Sequence, residues 1–285
     1  MSVDNFIQVI WSAKIFKTLE VVHRYAALAN RSFEGEIKGK GDTVKINQIG
    51  SVSISTYTKN STSITPEVLD DAQVVMKIDQ ANYFAFEVDD VDQALGANGL
   101  IDQGTDKGVY GIRNTVDAYF AALYSYHGLT HPSYTSNSAC ADITSANVEE
   151  IFLECFETMS ENNIPEENRF AVIPPWLTTK FQLAGIANLT ENVALWKNGQ
   201  VGRFGGFDLI QSNNVSKNSS SWDQTRVIMG VRNETFAYAE ALMKLETYRP
   251  ESSFSDAVKG LHVYGAKVVR PDMMLTLYCD KTAEP

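Results

Sequence analysis

The sequence predicts an α+β fold built around one unusually long β-hairpin. Three observations predict it. Apolar residues recur every three or four positions in several separate stretches. They alternate with polar ones from Asp42 to Ile54 and again from Val74 to Val88. Between those alternating runs lies polar chain, including Ser53–Ser63 (SISTYTKNSTS), that has almost nothing to bury. The first pattern is helical and the second is that of strands. The third poses a problem, because a two-stranded ribbon is marginal in water unless it rests on something.

The elements follow in chain order. Residues 6–29 read as an amphipathic helix, with Trp11, Ile15, Leu19, Val22 and Ala26 on one face. Gly35, Gly39 and Gly41 end its helical character. Val44 and Ile46 open the outgoing arm of the hairpin, and Val52 and Ile54 carry it past Gly50. Val74, Met76 and Ile78, then Phe84, Phe86 and Val88, form the returning arm, with Pro66 and Asp70-Asp71 in the turn region. At about 3.3 Å per residue each arm reaches tens of ångströms.

Val109, Ile112, Val116, Tyr119 and Leu123 step by three and four, which predicts a strong helix ending near Gly128 and Pro132. Gly96, Gly99, Gly104 and Gly108 predict a loop or a shorter helix ahead of it. The polar connector HPSYTSNSACADITS reads as a domain boundary. Ser145 is then placed to cap a helix carrying Val148, Ile151, Phe152, Cys155 and Met159. Arg169–Ile173 reads as a buried strand, and Pro174-Pro175-Trp176 opens a helix to about Leu183. Asn198-Gly199 is a hairpin signal, Phe207–Gln211 a strand behind three glycines, and SNNVSKNSSSWD a flexible loop. Residues 145–225 thus alternate helix and strand. Val227–Val231 and Phe236–Tyr248 read as strands and Phe254–Leu261 as a short helix. Val268–Val269 and Met274–Tyr278 are closing strands on either side of Pro271.

Composition narrows the function. With 285 residues, 44% hydrophobic and 21% charged, the chain suits one large domain or two modest ones. No apolar run approaches the ~18 residues of a membrane span. The start, MSVDNFIQVIWSAK, lacks the basic-then-apolar layout of a signal peptide, so sequons at Asn60, Asn188 and Asn233 carry no weight. Cys140, Cys155 and Cys279 are odd in number and scattered, which argues against a disulfide framework or zinc site and for a reducing cytoplasm. The net charge of −11 argues against a dedicated nucleic-acid binder. It is uneven: residues 1–60 hold eight Lys or Arg against five Asp or Glu, so a basic arm is set against an acidic remainder.

Chemical motifs are mostly missing. Gly35-Glu-Ile-Lys-Gly39-Lys40-Gly41 has one residue too few for a P-loop and a glycine where the hydroxyl belongs. GxSxG, HExxH and GxGxxG do not occur. His127 and His131 have metal-ligand spacing, but Gly128 and Pro132 end a helix there and no third ligand is near in sequence, so they read as a solvated helix end. Asp89, Asp90 and Asp92 read as helix-start acids. Glu149-Glu150 and Glu166-Glu167 read as solvated carboxylates. The expectation is no catalytic residue, no cofactor and no metal.

The order of elements, and a series of phrases along nearly the whole chain, resembles the major capsid (coat) protein of tailed double-stranded-DNA bacteriophages. The phrases are VDNFIQVIWSAK, RSFEGEIKGKGDTVKI, IDQANYFAFEVDDVD, GRFGGFDLIQSNNV and YRPESSFSDAVKGLHVYGAKVVRP. The resemblance implies the phage major-capsid fold. Residues 1–34 are then the N-terminal arm and 35–82 the extended loop. Residues 83–139 are the peripheral domain with its spine helix, 140–225 the axial domain, and 226–285 the returning strands. It implies a structural protein that self-assembles as hexamers and pentamers into an icosahedral shell around double-stranded DNA. The far end of the hairpin, with Tyr57, Lys59 and Asn60, would lie on a neighbouring subunit. Some members crosslink a loop lysine to a neighbour's asparagine. Lys59 has the place for this, but neither the asparagine nor the assisting acid is identifiable. A chain that opens on the arm implies a separate scaffolding protein. A portal, a decoration protein and packaged DNA complete the expected partners, with assembly in the host cytoplasm and no membrane. The competing readings are an encapsulin-like nanocompartment shell, an α/β enzyme with an unrecognised site, and a tail or tube protein.

Overall fold

The computed structural model describes residues 24–32, 41–49, 54, 56–59, 71–89, 100–184, 200–218, 223–251 and 254–281. The chain opens with a 3-10 turn, Ala26–Leu28, and then makes β1 (Thr43–Ile49), β2 (Asp71–Lys77), β3 (Gln80–Asp89) and α1 (Leu100–Ala122). Short strands β4 (Leu129–Thr130) and β5 (Ala141–Ile143) lead to α2 (Val148–Glu161), β6 (Arg169–Ile173) and α3 (Pro175–Leu183). There follow β7 (Gln200–Phe204), β8 (Phe207–Gln211), β9 (Ser216–Lys217), β10 (Thr225–Val231), β11 (Phe236–Tyr248), β12 (Ser255–Val268) and β13 (Leu275–Lys281).

The described strands form three sheets. A mixed eight-stranded sheet has the order β4-β13-β10-β6-β8-β7, with β5 also on β13 and β9 on β10. The strands β11, β12 and β3 make a three-stranded antiparallel sheet. The pair β1–β2 stands by itself, Thr43 opposite Lys77 and Ile49 opposite Asp71.

Alternation along the middle strands builds two cores on the two faces of the large sheet. Phe170, Val172 and Ile228 face α1 and the three-stranded sheet, and join Val109, Ile112, Val116, Phe120, Phe236, Tyr238 and Tyr264. Ala171, Ile173, Val227 and Met229 face the other way, onto Ile151, Phe152, Cys155 and Met159 of α2 and Leu177 and Phe181 of α3. The helix α1 is therefore shared between two sheets, which is why its apolar stripe is continuous. A third, smaller cluster seats Val44, Ile46, Met76 and Ile78 of the hairpin on Ala237, Ala239 and Val263 of the three-stranded sheet.

Several expectations are corrected. The returning arm is not one strand. It breaks after Lys77, so that β2 pairs with β1 while β3 crosses to β12. Gly104 and Gly108 do not weaken α1, which runs from Leu100. A Cβ at Gly104 would lie 2.7 Å from the Phe86 ring and one at Gly108 2.9 Å from the Phe84 ring. These glycines let the helix approach β3, and that contact outweighs their low helix propensity of about 1 kcal/mol each. The N-cap of α2 is Asn147, not Ser145; its Oδ1 accepts from the Thr144 N–H at 2.8 Å. Phe254–Leu261 is not helical. Its helical spacing is overridden by pairing on both edges within β12. The predicted loop 212–223 contains β9 and a buried Val215. Of the expected N-terminal helix, the described residues hold a 3-10 turn, Ala26–Leu28, and Ala29 is already extended. Its earlier part, the P-loop-like stretch before Gly41, and Asn198-Gly199 lie outside the described residues. The described hairpin turn there is Gly205-Gly206, where positive φ values of 52° and 81° suit a tight β7–β8 connection.

Candidate assembly surface

The hairpin is anchored at its base. Gly41 N–H donates to the Ile78 carbonyl and Ile78 N–H to the Asp42 carbonyl, extending the β1–β2 ladder toward the body. Lys267 Nζ donates to the Val75 carbonyl at 2.9 Å. Gly265 of β12 passes so close beneath that a Cβ would sit 2.5 Å from the Lys77 carbonyl oxygen. Ile54 is 98% exposed and Tyr57 65% exposed, and Lys59 is exposed as well. Asn60 lies outside the described residues. The far end thus presents apolar and aromatic groups to solvent instead of to its own subunit, an arrangement that marks an interaction surface when the groups are contiguous. Tyr83 on β3, at 77%, is exposed on the three-stranded sheet, and Phe254, just ahead of β12, is 81% exposed.

Behind this surface is a buried polar cluster that the sequence patterns do not announce. Glu240 of β11 is fully enclosed, and Arg31 pairs with its Oε1. Tyr238 Oη donates to Oε2 at 2.5 Å, and His262 Nε2 lies 3.1 Å from the same oxygen. Burial alone would raise the Glu240 carboxyl, but His262, Tyr238 and the Arg31 charge together overcome it and hold it at about 2. A lone acid inside the apolar run FAYAEAL was the available signal. On α1, Asp117 is also buried; its carboxylate accepts the backbone N–H groups of Tyr25 at 3.3 Å and Arg24 at 3.4 Å. Here burial prevails over those bonds and over Arg113 and Arg24, and the carboxyl is raised to about 6.

Other singled-out residues have structural places. His131 is completely buried, contrary to the reading of a solvated helix end. Its ring stacks on Tyr134 at 4.6 Å, Nδ1 accepts the Ser133 N–H, and Nε2 is 2.8 Å from Glu154 Oε2. His127 Nδ1 instead sits 2.7 Å from the Tyr124 carbonyl. Cys155 and Cys279 are buried in the core beneath the large sheet, where burial raises both thiols, Cys279 to about 12. Asp89 ends β3 and starts no helix, while Asp90 and Asp92 lie outside the described residues. Glu149 and Glu150 are exposed in the first turn of α2, and Glu166 and Glu167 are exposed too. Among the described residues no three His, Cys, Asp or Glu groups are placed to hold a metal ion. No helix among them is long and apolar enough to cross a membrane.

The chain matches the family described as phage capsid protein over residues 52–277. No curated protein matches it by sequence. Among solved structures it is similar to that of Mycobacterium phage Che8, at 24% identity and a TM-score of 0.71, covering 90% of this chain and 91% of that one. The capsid structure of the cyanophage P-SCSP1u is similar at 18% identity and a TM-score of 0.68, over 92% and 90% of the two chains. A virus-like particle from Pyrococcus furiosus shares the fold at 12% identity and a TM-score of 0.56, over 95% and 99%.

Proposed function

Since the chain belongs to the phage capsid protein family and is a shell-forming structural protein of the virion, we propose that its copies join as hexamers and pentamers in an icosahedral shell around double-stranded DNA. The observation that carries this reading is the β1–β2 hairpin. It is seated on its own subunit at the base, and farther out it presents an exposed Ile54 and Tyr57. In this reading Tyr57, Lys59 and Asn60 contact the neighbouring subunit. Interfaces of obligate assemblies bury roughly 2,000–5,000 Å², so the far end is one contributor among many.

The division of labour along the chain follows. Residues 1–34 act as the arm, 35–82 as the extended loop, 83–139 as the peripheral domain, 140–225 as the axial domain and 226–285 as the return. The last two share one sheet, since β10 lies between β6 and β13. A separate scaffolding protein and a portal would direct assembly in the host cytoplasm, a decoration protein would bind the finished shell, and the DNA would be held without sequence preference.

Negative-stain electron microscopy of the protein, expressed with and without its genomic neighbours, tests this. Closed polyhedral particles filled with DNA are expected. Particles filled with a protein cargo would establish a nanocompartment instead, rods or rings would favour a tube protein, and small oligomers under every condition would overturn the shell reading.

A further inference from the structure

The connector between β4 and β5 is tied to the body at two points of different chemistry. Its later part is held by Arg226, whose Nε donates to Asn137 Oδ1 at 3.2 Å. Its first residue, His131, is held by its ring, which is completely buried and stacks on Tyr134 at 4.6 Å. Nδ1 accepts the Ser133 N–H at 3.1 Å, so it carries no proton. Nε2 stands 2.8 Å from Glu154 Oε2 of α2, too close for two bare acceptors, so the ring's one proton is on Nε2. That contact lies off the line of a well-formed hydrogen bond. The neutral Nε2–H tautomer is thus assigned by the hydrogen-bond partners. A second proton has one place to go, Nδ1, and the Ser133 N–H already fills it.

We propose that His131 is an acid-releasable clasp: on taking a second proton its ring gives up the Ser133 N–H, leaves its place between Tyr134 and α2, and frees the first half of the connector, while Arg226 keeps the later half in place. Among the described residues, the groups facing the ring are Glu154 from α2 and Ser133 and Tyr134 from its own segment, and Glu154 is the charged one. Burial opposes the charged ring and Glu154 favours it; burial prevails, so the closed clasp holds the imidazole below its ordinary value of 6.5. The sign follows. An opened, hydrated ring binds the proton more tightly than the closed one. The clasp is therefore at full strength above 6.5 and weakens as pH falls below it. The strands β4 and β5 both pair with β13, so the chain between them can loosen without unzipping the sheet. The clasp acts within one subunit, whether or not shells form.

The test is amide hydrogen exchange of the full chain at pH 7.5 and pH 5.5, corrected for intrinsic rates and read by mass spectrometry on peptides covering 131–135, 136–140 and 225–231. Exchange in 131–135 should be about tenfold faster at pH 5.5, the gain in opening that an ordinary imidazole of 6.5 gives over that interval. The other two peptides should change little. His131→Asn keeps an oxygen acceptor for the Ser133 N–H on a side chain that does not titrate, and should abolish the pH dependence. Equal protection of 131–135 at the two pH values in the wild type would overturn the proposal. So would equal acceleration in all three peptides, which is general loosening in acid, or an acceleration that survives in His131→Asn. Hydrogen exchange at the imidazole C2 of His131 gives a second reading that needs no variant. Its midpoint in the wild type should lie below 6.5, and a midpoint at or above 6.5 would overturn the proposal.

Discussion

The large sheet and the β1–β2 hairpin solve the same problem with different resources. In the large sheet the strands β6, β8 and β10 find cover on both faces, because α1 packs on one side and α2 and α3 on the other. Among the described residues the hairpin finds its cover near the base, where four apolar residues meet β11 and β12. The difference teaches where stability resides. A residue of the large sheet stabilises the subunit itself. Ile54 and Tyr57 are exposed and join no core cluster of the described residues, so on the proposed reading they act through a neighbouring subunit.

The comparison is broken most directly in the large sheet. Phe170 is fully buried, with its ring 6.2 Å from that of Phe236, and it lies between the sheet and α1. Phe170→Ala should lower subunit stability by about 3–5 kcal/mol, seen as a fall in the urea midpoint with an unchanged slope. A loss under about 1 kcal/mol would mean that the two sheets do not depend on one another there.

The three-stranded sheet is intermediate, since it belongs to the body and also carries the hairpin and the bridge from Asn30 to Ala237. Glu240→Gln removes the charge that Arg31 and His262 are arranged around, and should cost on the order of 3 kcal/mol. The carboxyl is held at about 2 against an ordinary 4.5, so its contribution is full above 4.5 and is lost as pH falls through that interval. Urea midpoints should decline between pH 4.5 and 2 in the wild type, and this decline should be shallower in Glu240→Gln. A parallel decline in both would assign acid sensitivity to other carboxylates.

Gly265 sharpens the boundary between sheet and hairpin. Gly265→Ala places a methyl against the Lys77 carbonyl, a backbone atom that cannot rotate away. The hairpin base has to lift, at about 1–3 kcal/mol. Faster amide exchange in β1 and β2 with unchanged exchange in β10 would locate the damage; equal acceleration everywhere would show that the hairpin is integral to the body.

Legibility in the sequence followed the same division. The buried face of α2 reads directly from Val148, Ile151, Phe152, Cys155 and Met159, because one helix packs one face against one sheet. The strand Phe236–Tyr248 is readable for the same reason. Failures came where tertiary contacts decide. Gly104 and Gly108 look like helix breakers until Phe84 and Phe86 are seen beneath them. Residues 254–261 carry a helical stripe but fill the middle of a sheet. The break between β2 and β3 is invisible because both strands alternate in phase, although they join different sheets. Of the candidate contact residues, the exposure of Tyr57 and Lys59 follows from their polar surroundings. The Glu240 cluster gathers residues 31, 238, 240 and 262, and no local pattern joins positions so far apart.

The smallest expected effect on the subunit is the most informative for function. Ile54→Ser together with Tyr57→Ser replaces two exposed groups that touch no core. Subunit stability should stay within about 0.5 kcal/mol of wild type, as for other surface changes. On the proposed reading the yield of closed particles should nonetheless fall, because each shell would repeat the lost contact in every copy. A double substitution that leaves both stability and particle yield unchanged would detach the far end of the hairpin from assembly. One that destabilises the isolated subunit would show that the far end folds back on its own body, and the contrast between the two regions would then be one of degree.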